Sequence, residues 1–326
     1  MLGTGKSTLV KFLVHALEGQ FNINPKKDIC YAAFTGKACQ VLQKKGNNPT
    51  STLHKLLWNY KIKGEKKFER EPIFPLEYKI VIVDECSMID HELLMELSKH
   101  RECHFIFLGD PGQLPPILSG TGQTGYDLLT TSAHIFLDEV MRQAQDSEII
   151  KLSMDIRQGK KLQNFKGKEV QILNKEELID GMLLWADQII CATNATRVEL
   201  NNRIRKLKGF GEQPEDGDKV ICLKNDWDIF SDKGQPLVNG IIGTLDKSFQ
   251  SFVYPKKYSR PAEIICGNVK VDTEECYEDL IIDKKNILTG EPAISWQDSG
   301  ALKQKGVIVS NFTYGYAITA HKSQRK

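Results

Sequence analysis

A glycine-rich segment near the start of the chain has the residue types and spacing needed to hold the phosphates of a nucleotide. Residues 3–8 read Gly-Thr-Gly-Lys-Ser-Thr, and the apolar residues that follow recur at helical spacing. Such a turn directs backbone N–H groups and the positive end of a helix dipole at a phosphate chain. Lys6 is expected to reach the outer phosphates, and the Ser7 hydroxyl to bind Mg²⁺. The predicted site for ATP and Mg²⁺ comprises Gly3, Thr4, Gly5, Lys6, Ser7 and Thr8.

Taken alone, this segment leaves two interpretations open, a phosphate-binding loop and a glycine turn that caps a core helix. In the full phosphate-loop pattern a further glycine would fall one position before Met1. The β-strand that precedes such a loop is also missing. The other motifs of the chain must therefore decide between the two.

A pair of carboxylates ends the first strongly apolar run. Residues 78–83 are almost continuously apolar, which is typical of a parallel strand buried on both faces. Ligands bind at the carboxyl ends of such strands in open α/β sheets. We assign Asp84 to Mg²⁺, and Glu85 to orienting and deprotonating the attacking water. The alternative is two solvated acids at a strand end.

A second apolar run, residues 105–108, leads into the loop Gly109–Pro116. In this loop Gln113 could hydrogen bond to a γ-phosphate or to its water, which would make the loop a sensor of nucleotide state. A simple Pro/Gly turn is the alternative, but it does not explain the spacing from Asp84.

Together these motifs resemble those of superfamily 1 helicases, and their residue sequences are most similar to those of the RecD/Dda-like branch. Residues 83–88 (VDECSM) resemble motif II and residues 109–116 (GDPGQLPP) resemble motif III. Four further segments resemble, in order, motif Ia, the T-x-H segment, the segment ending in Arg-Gln, and motif V: residues 35–38, 51–57, 137–143 and 314–324. The resemblance implies an ATP-dependent DNA helicase or translocase that moves 5'-to-3' on single-stranded DNA. It implies ATP and Mg²⁺ in a cleft between two domains.

The resemblance also implies roles for individual residues. The catalytic set would be Lys6, Glu85, Gln113 and Arg142, with Arg142 reaching across the cleft to the γ-phosphate. The implied nucleic-acid contacts are Thr35, Gly36, Lys37, Thr52, His54, Thr193, Asn194, Thr319, His321 and Lys322. Three of these groups have a local alternative: residues 35–37 as a purely structural turn, residues 51–54 as a helix cap with a satisfied histidine, and residues 319–322 as local hydrogen bonding. The implied partners are single-stranded DNA and duplex junctions, with replication or recombination proteins as further candidates.

The pattern of elements predicts an α/β fold with two RecA-like P-loop motor domains. The first would span 1–143 and carry a β-hairpin insertion at 58–77, which by position resembles a strand-separating pin; a solvated hairpin without a role is the alternative. Short strands at turn-punctuated spacing predict a small inserted β-barrel at 217–304. The second motor domain, incomplete, would take 144–216 and 305–326.

Composition sets the remaining limits. A chain of 326 residues with 40% hydrophobic and 26% charged residues is typical of about two globular domains. No apolar run approaches the roughly 18 residues of a membrane span, and no signal peptide is recognisable, so a cytoplasmic protein is expected. Eight scattered cysteines without a CxxC pair predict neither a zinc site nor a disulfide framework. A net charge of +2 requires any nucleic-acid site to be locally positive.

The ends of the chain add one more expectation. The family pattern continues past Gln324 with a Gly and a further arginine-bearing motif, whereas here two residues follow. We therefore expect a chain that is truncated at both ends. A second hypothesis is a fragment or subunit that binds nucleic acid but hydrolyses little, and a third is an RNA-directed motor.

Overall fold

The computed structural model describes residues 6–63, 67–116, 122–137, 147–255, 260–271 and 275–323. Contacts between residues divide the chain into two units, and the boundary along the sequence falls between Leu178 and Ile179. Helices and strands alternate in both. Within the described ranges, no helix has the length and apolar character that crossing a bilayer demands.

The first unit is an α/β layer structure. Its elements in chain order are α1 (Lys6–Phe21), α2 (Pro25–Asp28), β1 (Ile29–Ala33), α3 (Gly36–Lys44), β2 (Thr50–Thr52), α4 (Leu53–Leu57), β3 (Trp58–Lys63), β4 (Lys67–Pro72), β5 (Ile80–Asp84), α5 (His91–Leu97), β6 (His104–Phe107), α6 (Gly125–Thr131), α7 (Glu148–Arg157), β7 (Phe165–Lys166) and β8 (Gln171–Ile172).

A parallel sheet with strand order β2-β1-β5-β6 forms the centre of this unit. Strand β1 is buried at all five positions and β5 at its first four, as expected for strands covered on both faces. One face packs with Val10 of α1 and with Cys39 and Leu42 of α3. The other face packs with apolar residues of the helices that follow, namely Leu53, Leu57, Leu93, Leu97 and Leu129. The sheet is therefore fixed from both sides.

Strands β3 and β4 occupy most of the predicted hairpin segment. They pair antiparallel from Trp58 opposite Pro72 to Lys63 opposite Lys67. The connecting residues 64–66 lie outside the described part of the chain. The strands end at Pro72, before the predicted limit of residue 77.

The first unit extends further than the predicted boundary after residue 143. Residues 147–178, which the sequence pattern predicts to begin the second domain, group with the first unit. A polar contact that the pattern of apolar residues does not record joins them to it, because Arg157 at the end of α7 forms an ion pair with Asp110 at 2.8 Å. Within the segment, Glu148 and Glu169 accept hydrogen bonds of 2.8 and 2.9 Å from each other's backbone N–H groups.

Among the described residues, the second unit has three sheets, one of six strands and two of two strands. Its elements in chain order are α8 (Asp180–Trp185), β9 (Ile189–Cys191), α9 (Asn194–Leu207), β10 (Lys219–Cys222), β11 (Asp226–Phe230), β12 (Pro236–Leu237), β13 (Ile242–Val253), β14 (Ala262–Val271), β15 (Glu275–Asp283), α10 (Lys284–Thr289), α11 (Trp296–Gln304), β16 (Val309–Ser310), β17 (Phe312–Tyr314), β18 (Ala317–Thr319) and α12 (Ala320–Ser323).

The predicted barrel segment contributes to a six-stranded sheet rather than standing alone. The strand order is β16-β15-β14-β13-β10-β17, so among the described residues β16 and β17 are the two edges and the sheet stays open. Both edge strands come from residues 309–314, beyond the predicted limit of residue 304. Strand β17 is recruited because Phe312 and Tyr314 are apolar enough to be buried in the same core as Val220 of β10.

Candidate active site and nucleic-acid interface

Strand β5 carries the two predicted acidic residues to the carboxyl edge of the parallel sheet. Asp84 is its last residue and lies opposite Ala33 of β1, which in turn lies opposite Thr52 of β2. Neighbouring strands are about 4.8 Å apart, so Asp84 and Thr52 are roughly 10 Å apart along this edge. Residues predicted to hold nucleotide and residues predicted to contact nucleic acid therefore share one edge of the sheet.

Glu85 has a backbone conformation that is unusual for its residue type. Its φ and ψ are 53° and 43°, in the left-handed region, and its N–H donates to the Asp84 carboxylate at 3.0 Å. Such strained positions are concentrated at functional sites, where the surroundings hold them in place. The turn directs a buried carboxylate oxygen, Glu85 Oε2, to a position where it has no hydrogen-bond partner among the described residues. A water or ligand would satisfy this atom.

The electrostatic environment suits Glu85 for accepting a proton. Burial raises its pKa, the adjacent Asp84 raises it further, and Lys6 acts in the opposite direction. Burial also raises the pKa of Asp84, and Lys6 again opposes the rise. A carboxylate with a raised pKa is a better general base near neutral pH than an ordinary glutamate. The structure thus places Lys6 close enough to both acids to stabilise their charged forms.

The loop after β6 brings Gln113 to the same site. Its side chain hydrogen bonds to Glu85, so the predicted sensor and the predicted base are in contact. The loop is supported by Asp110, which is fully buried and accepts the N–H of Gly112 at 2.9 Å. Arg157 donates two hydrogen bonds of 2.8 Å to the two Asp110 oxygens.

Arg157 is the residue of this site that sequence reasoning missed. It is 47 positions from Asp110 along the chain, and no motif connects the two. The only available signal was the buried acid itself, because a buried carboxylate needs a cationic partner.

The predicted Mg²⁺ site is tested by the donors that the structure describes. Asp84 and Glu85 Oε2, which has no hydrogen-bond partner within the described part of the chain, are hard oxygen donors of the type that Mg²⁺ prefers. The described residues contain no group of three or more His, Cys, Asp or Glu side chains that could hold a metal. Mg²⁺ usually takes one or two carboxylates together with phosphate oxygens and waters, and Asp84 and Glu85 could supply the carboxylates. Gly3, Thr4, Gly5, Arg142 and the side chain of Ser7 lie outside the described residues, and Thr8 is exposed on α1.

The three predicted nucleic-acid contacts that directly precede helices have their hydroxyls engaged locally. Thr35, Thr52 and Thr193 are the N-caps of α3, α4 and α9, and each side chain accepts a backbone N–H from the first turn. The donors are, in the same order, Ala38 at 3.2 Å, Lys55 at 3.3 Å and Thr196 at 3.2 Å. The capping alternative therefore describes these side chains, and a contact with nucleic acid would use the backbone of the same turns, such as Gly36 and Lys37.

Replacing the Thr35 cap should measure the structural share of its role. We expect Thr35→Ala to lower the free energy of unfolding by about 1 kcal/mol, because the N–H of Ala38 loses its acceptor. Thr35→Ser keeps the hydroxyl and should restore most of the stability. Urea denaturation of the three proteins checks this. Equal stability of the Ala variant and the wild type would contradict the capping role.

His54 is packed between aromatic rings. Its ring centroid lies 5.6 Å from that of Phe34, edge-on, and 5.6 Å from that of Trp58. Burial lowers the pKa of His54, and the nearby Arg70 lowers it further. A neutral, half-buried imidazole is poorly suited to pairing with a phosphate, so the structure favours a packing role for this ring.

In the second unit, two predicted contacts lie at adjacent strand ends. Thr319 ends β18 opposite Cys191, the last residue of β9, and Asn194 begins α9 three residues after Cys191. Asn194 accepts a hydrogen bond of 3.3 Å from Arg197. These residues form a second strand-to-helix edge, analogous to the one in the first unit.

Lys322 connects this edge to the six-stranded sheet. Its ammonium donates to the Asn239 side chain at 3.0 Å, and Asn239 lies in the turn between β12 and β13. His321, next to it on α12, is half-buried. The structure therefore gives Lys322 a contact within the protein that the sequence did not predict.

Comparison with protein families defines the class to which this arrangement belongs. The model of an AAA domain family matches residues 1–181, more than half of the chain. The chain belongs to this family of AAA domains. The match includes the glycine-rich segment, both acidic residues and the Gln113 loop.

Individual relatives include helicases named RecD2 and dda, and these similarities support the resemblance seen in the motifs. The ATP-dependent RecD2 DNA helicase of Deinococcus radiodurans is 31% identical over 159 residues, covering 48% of this chain and 21% of the relative. The ATP-dependent DNA helicase dda of phage T4 is 31% identical over 166 residues, covering 48% of this chain and 36% of the relative. The matches thus span only about a fifth to a third of these relatives. The Pif1 helicase structure from Candida albicans is 18% identical with a TM-score of 0.47, covering 99% of this chain and 80% of that one.

Proposed function

We propose that this protein hydrolyses ATP in order to move along, and unwind, DNA. The observation that carries the proposal is the cluster of Lys6, Asp84, Glu85 and Gln113 at the carboxyl edge of the parallel sheet. Glu85 combines a raised pKa, a contact from Gln113 and a buried oxygen that no described residue hydrogen bonds. A pair of solvated acids would have none of these features. The family and its helicase relatives add independent support.

Each residue has a defined task in this proposal. When bound, Mg²⁺ supplies positive charge to the phosphate oxygens. Lys6 stabilises the outer phosphates, Asp84 would hold Mg²⁺, and Glu85 accepts a proton from the attacking water. Gln113 orients Glu85 and senses the γ-phosphate. We propose Arg142 as the arginine that stabilises the charge of the transition state.

The proposed nucleic-acid track consists of the strand-to-helix turns of the two units. Backbone N–H groups at helix N-termini suit phosphates without reading bases, so binding would be tolerant of sequence and sensitive to salt. We propose single-stranded DNA and duplex junctions as substrates, with 5'-to-3' movement, and the β3–β4 hairpin as a strand-separating element. Replication or recombination proteins are proposed as further partners.

Nucleotide turnover with and without nucleic acid tests the proposal. We expect single-stranded DNA to stimulate ATP hydrolysis, and the stimulation to fall steeply as salt is raised, because phosphate contacts release counterions on binding. The measurement is steady-state phosphate release at several salt concentrations, with DNA and RNA of the same length. A greater stimulation by RNA would favour an RNA-directed motor. No stimulation by either, with DNA binding retained, would contradict the motor and favour a binding fragment or subunit.

A further inference from the structure

An ion pair between the buried Asp110 and the partly exposed Arg157 supports the loop that carries Gln113. Asp110 is fully buried, and both of its carboxylate oxygens accept hydrogen bonds from Arg157, each 2.8 Å long. The same acid accepts the N–H of Gly112 at 2.9 Å, and its carbonyl accepts the N–H of Gln113 at 3.0 Å. Asp110 therefore sets the shape of the loop from inside.

Gly112 shows how closely this loop lies against the guanidinium. A Cβ atom added at Gly112 would lie 2.4 Å from Arg157 Cζ, far inside van der Waals contact. The loop is thus folded directly over the Arg157 head group, and the next residue, Gln113, contacts Glu85. A continuous path of contacts leads from α7 through the loop to the proposed base.

The electrostatics make this contact hard to replace. Desolvation alone would raise the pKa of Asp110, yet the hydrogen bonds from Arg157 and from the Gly112 N–H hold it well below its ordinary value. Asp110 therefore stays charged and remains paired with Arg157. A planar guanidinium can donate two parallel bonds to a carboxylate, which an ammonium cannot do.

We propose that Arg157 is a positioning residue for ATP hydrolysis, acting through the Asp110 loop to hold Gln113 against Glu85. The effect on ATP hydrolysis rests on the proposed function. The placement of the loop by Arg157 does not depend on it. Arg157 itself touches neither Gln113 nor Glu85 in any described hydrogen bond, so its effect must pass through the loop. Misplacement of a reacting group by about 1 Å can cost about 100-fold in rate.

A double-mutant cycle between Arg157 and Gln113 tests this route. We expect Arg157→Gln to lower kcat by about 10- to 100-fold with little change in KM for ATP. Combined with Gln113→Ala, it should lower kcat no further than Gln113→Ala alone, because both changes remove the same contact. Arg157→Lys keeps the positive charge but cannot donate the two parallel hydrogen bonds. Its kcat should lie between those of the wild type and Arg157→Gln. As the matched control, Lys160→Gln removes the exposed 2.6 Å pair with Asp155 near the same helix end and should leave kcat unchanged.

Amide hydrogen exchange at Gly112 and Gln113 gives a readout that needs no turnover. We expect exchange about 10-fold faster or more in Arg157→Gln, because both amides lose a fixed acceptor geometry. If that variant does not fold, Asp110→Asn, which preserves shape, takes its place in both measurements. Additive effects on kcat, or unchanged exchange at both amides, would overturn the inference. A wild-type protein without any nucleotide turnover would instead defeat the proposed function, while the exchange result would still decide whether Arg157 places the loop.

Discussion

Glu85→Gln should lower the kcat of DNA-stimulated ATP hydrolysis by about 10²- to 10⁴-fold, the range for losing a general base. Glutamine has the shape of glutamate and can still contact Gln113, but it cannot take a proton from water. Binding of ATP should persist, because Lys6 and the phosphate-binding turn are unchanged. Steady-state phosphate release, together with equilibrium binding of a fluorescent ATP analogue, separates the two effects.

The pH dependence of the rate provides a second test of the role of Glu85. In the proposed mechanism Glu85 must be deprotonated to act, and burial followed by the charge of Asp84 raises its pKa above the ordinary value of 4.5. The wild-type rate should therefore fall as the pH drops through a value above 4.5, and this limb should be absent from the residual activity of Glu85→Gln. Glu102→Gln, an exposed acid on the turn after α5, serves as the control and should behave as wild type. A Glu85→Gln protein with a wild-type rate would contradict the assignment of the base.

Asp218→Ala should destabilise the second unit by about 3–5 kcal/mol, the cost of leaving one partner of a buried pair unpaired. Asp218 is fully buried and accepts bonds of 2.8 and 2.9 Å from Arg205, 3.1 Å from Tyr316 and 3.0 Å from the N–H of Glu215. Arg205 also lies 4.3 Å from the ring centroid of Tyr314. Removing the acid would take away both carboxylate hydrogen bonds of the buried Arg205 guanidinium. The measurement is the free energy of unfolding from urea denaturation.

The matched control is an exposed pair in the same unit. Asp180 contacts Arg203, with about half of each side chain exposed, so Asp180→Ala should change stability by less than about 1 kcal/mol. Equal losses in the two variants would contradict the role of burial. The network matters for function because Tyr316 is followed directly by β18, which ends at the predicted contact Thr319. We expect the loss of Asp218 to loosen that edge.

Local features of this protein were determined by the sequence itself. The apolar run before Asp84 and Glu85 predicted a buried parallel strand, and the strand ends at Asp84. The turn at residues 35–37 was also predictable, and helix α3 begins directly after Thr35. These features depend on residues within about ten positions of one another, where side-chain periodicity and capping preferences act directly.

Only the tertiary structure decided how distant polar groups combine. Arg157 is 47 positions from Asp110, and this pair, not the pattern of apolar residues, joins α7 to the first unit. Strand β17 likewise joins β10 across nearly a hundred residues, so the six-stranded sheet extends past the predicted limit of the inserted barrel. An ion pair or a strand pairing of this kind joins residues that are far apart in the sequence and close only in the folded chain. The local preferences of the residues involved do not predict such contacts.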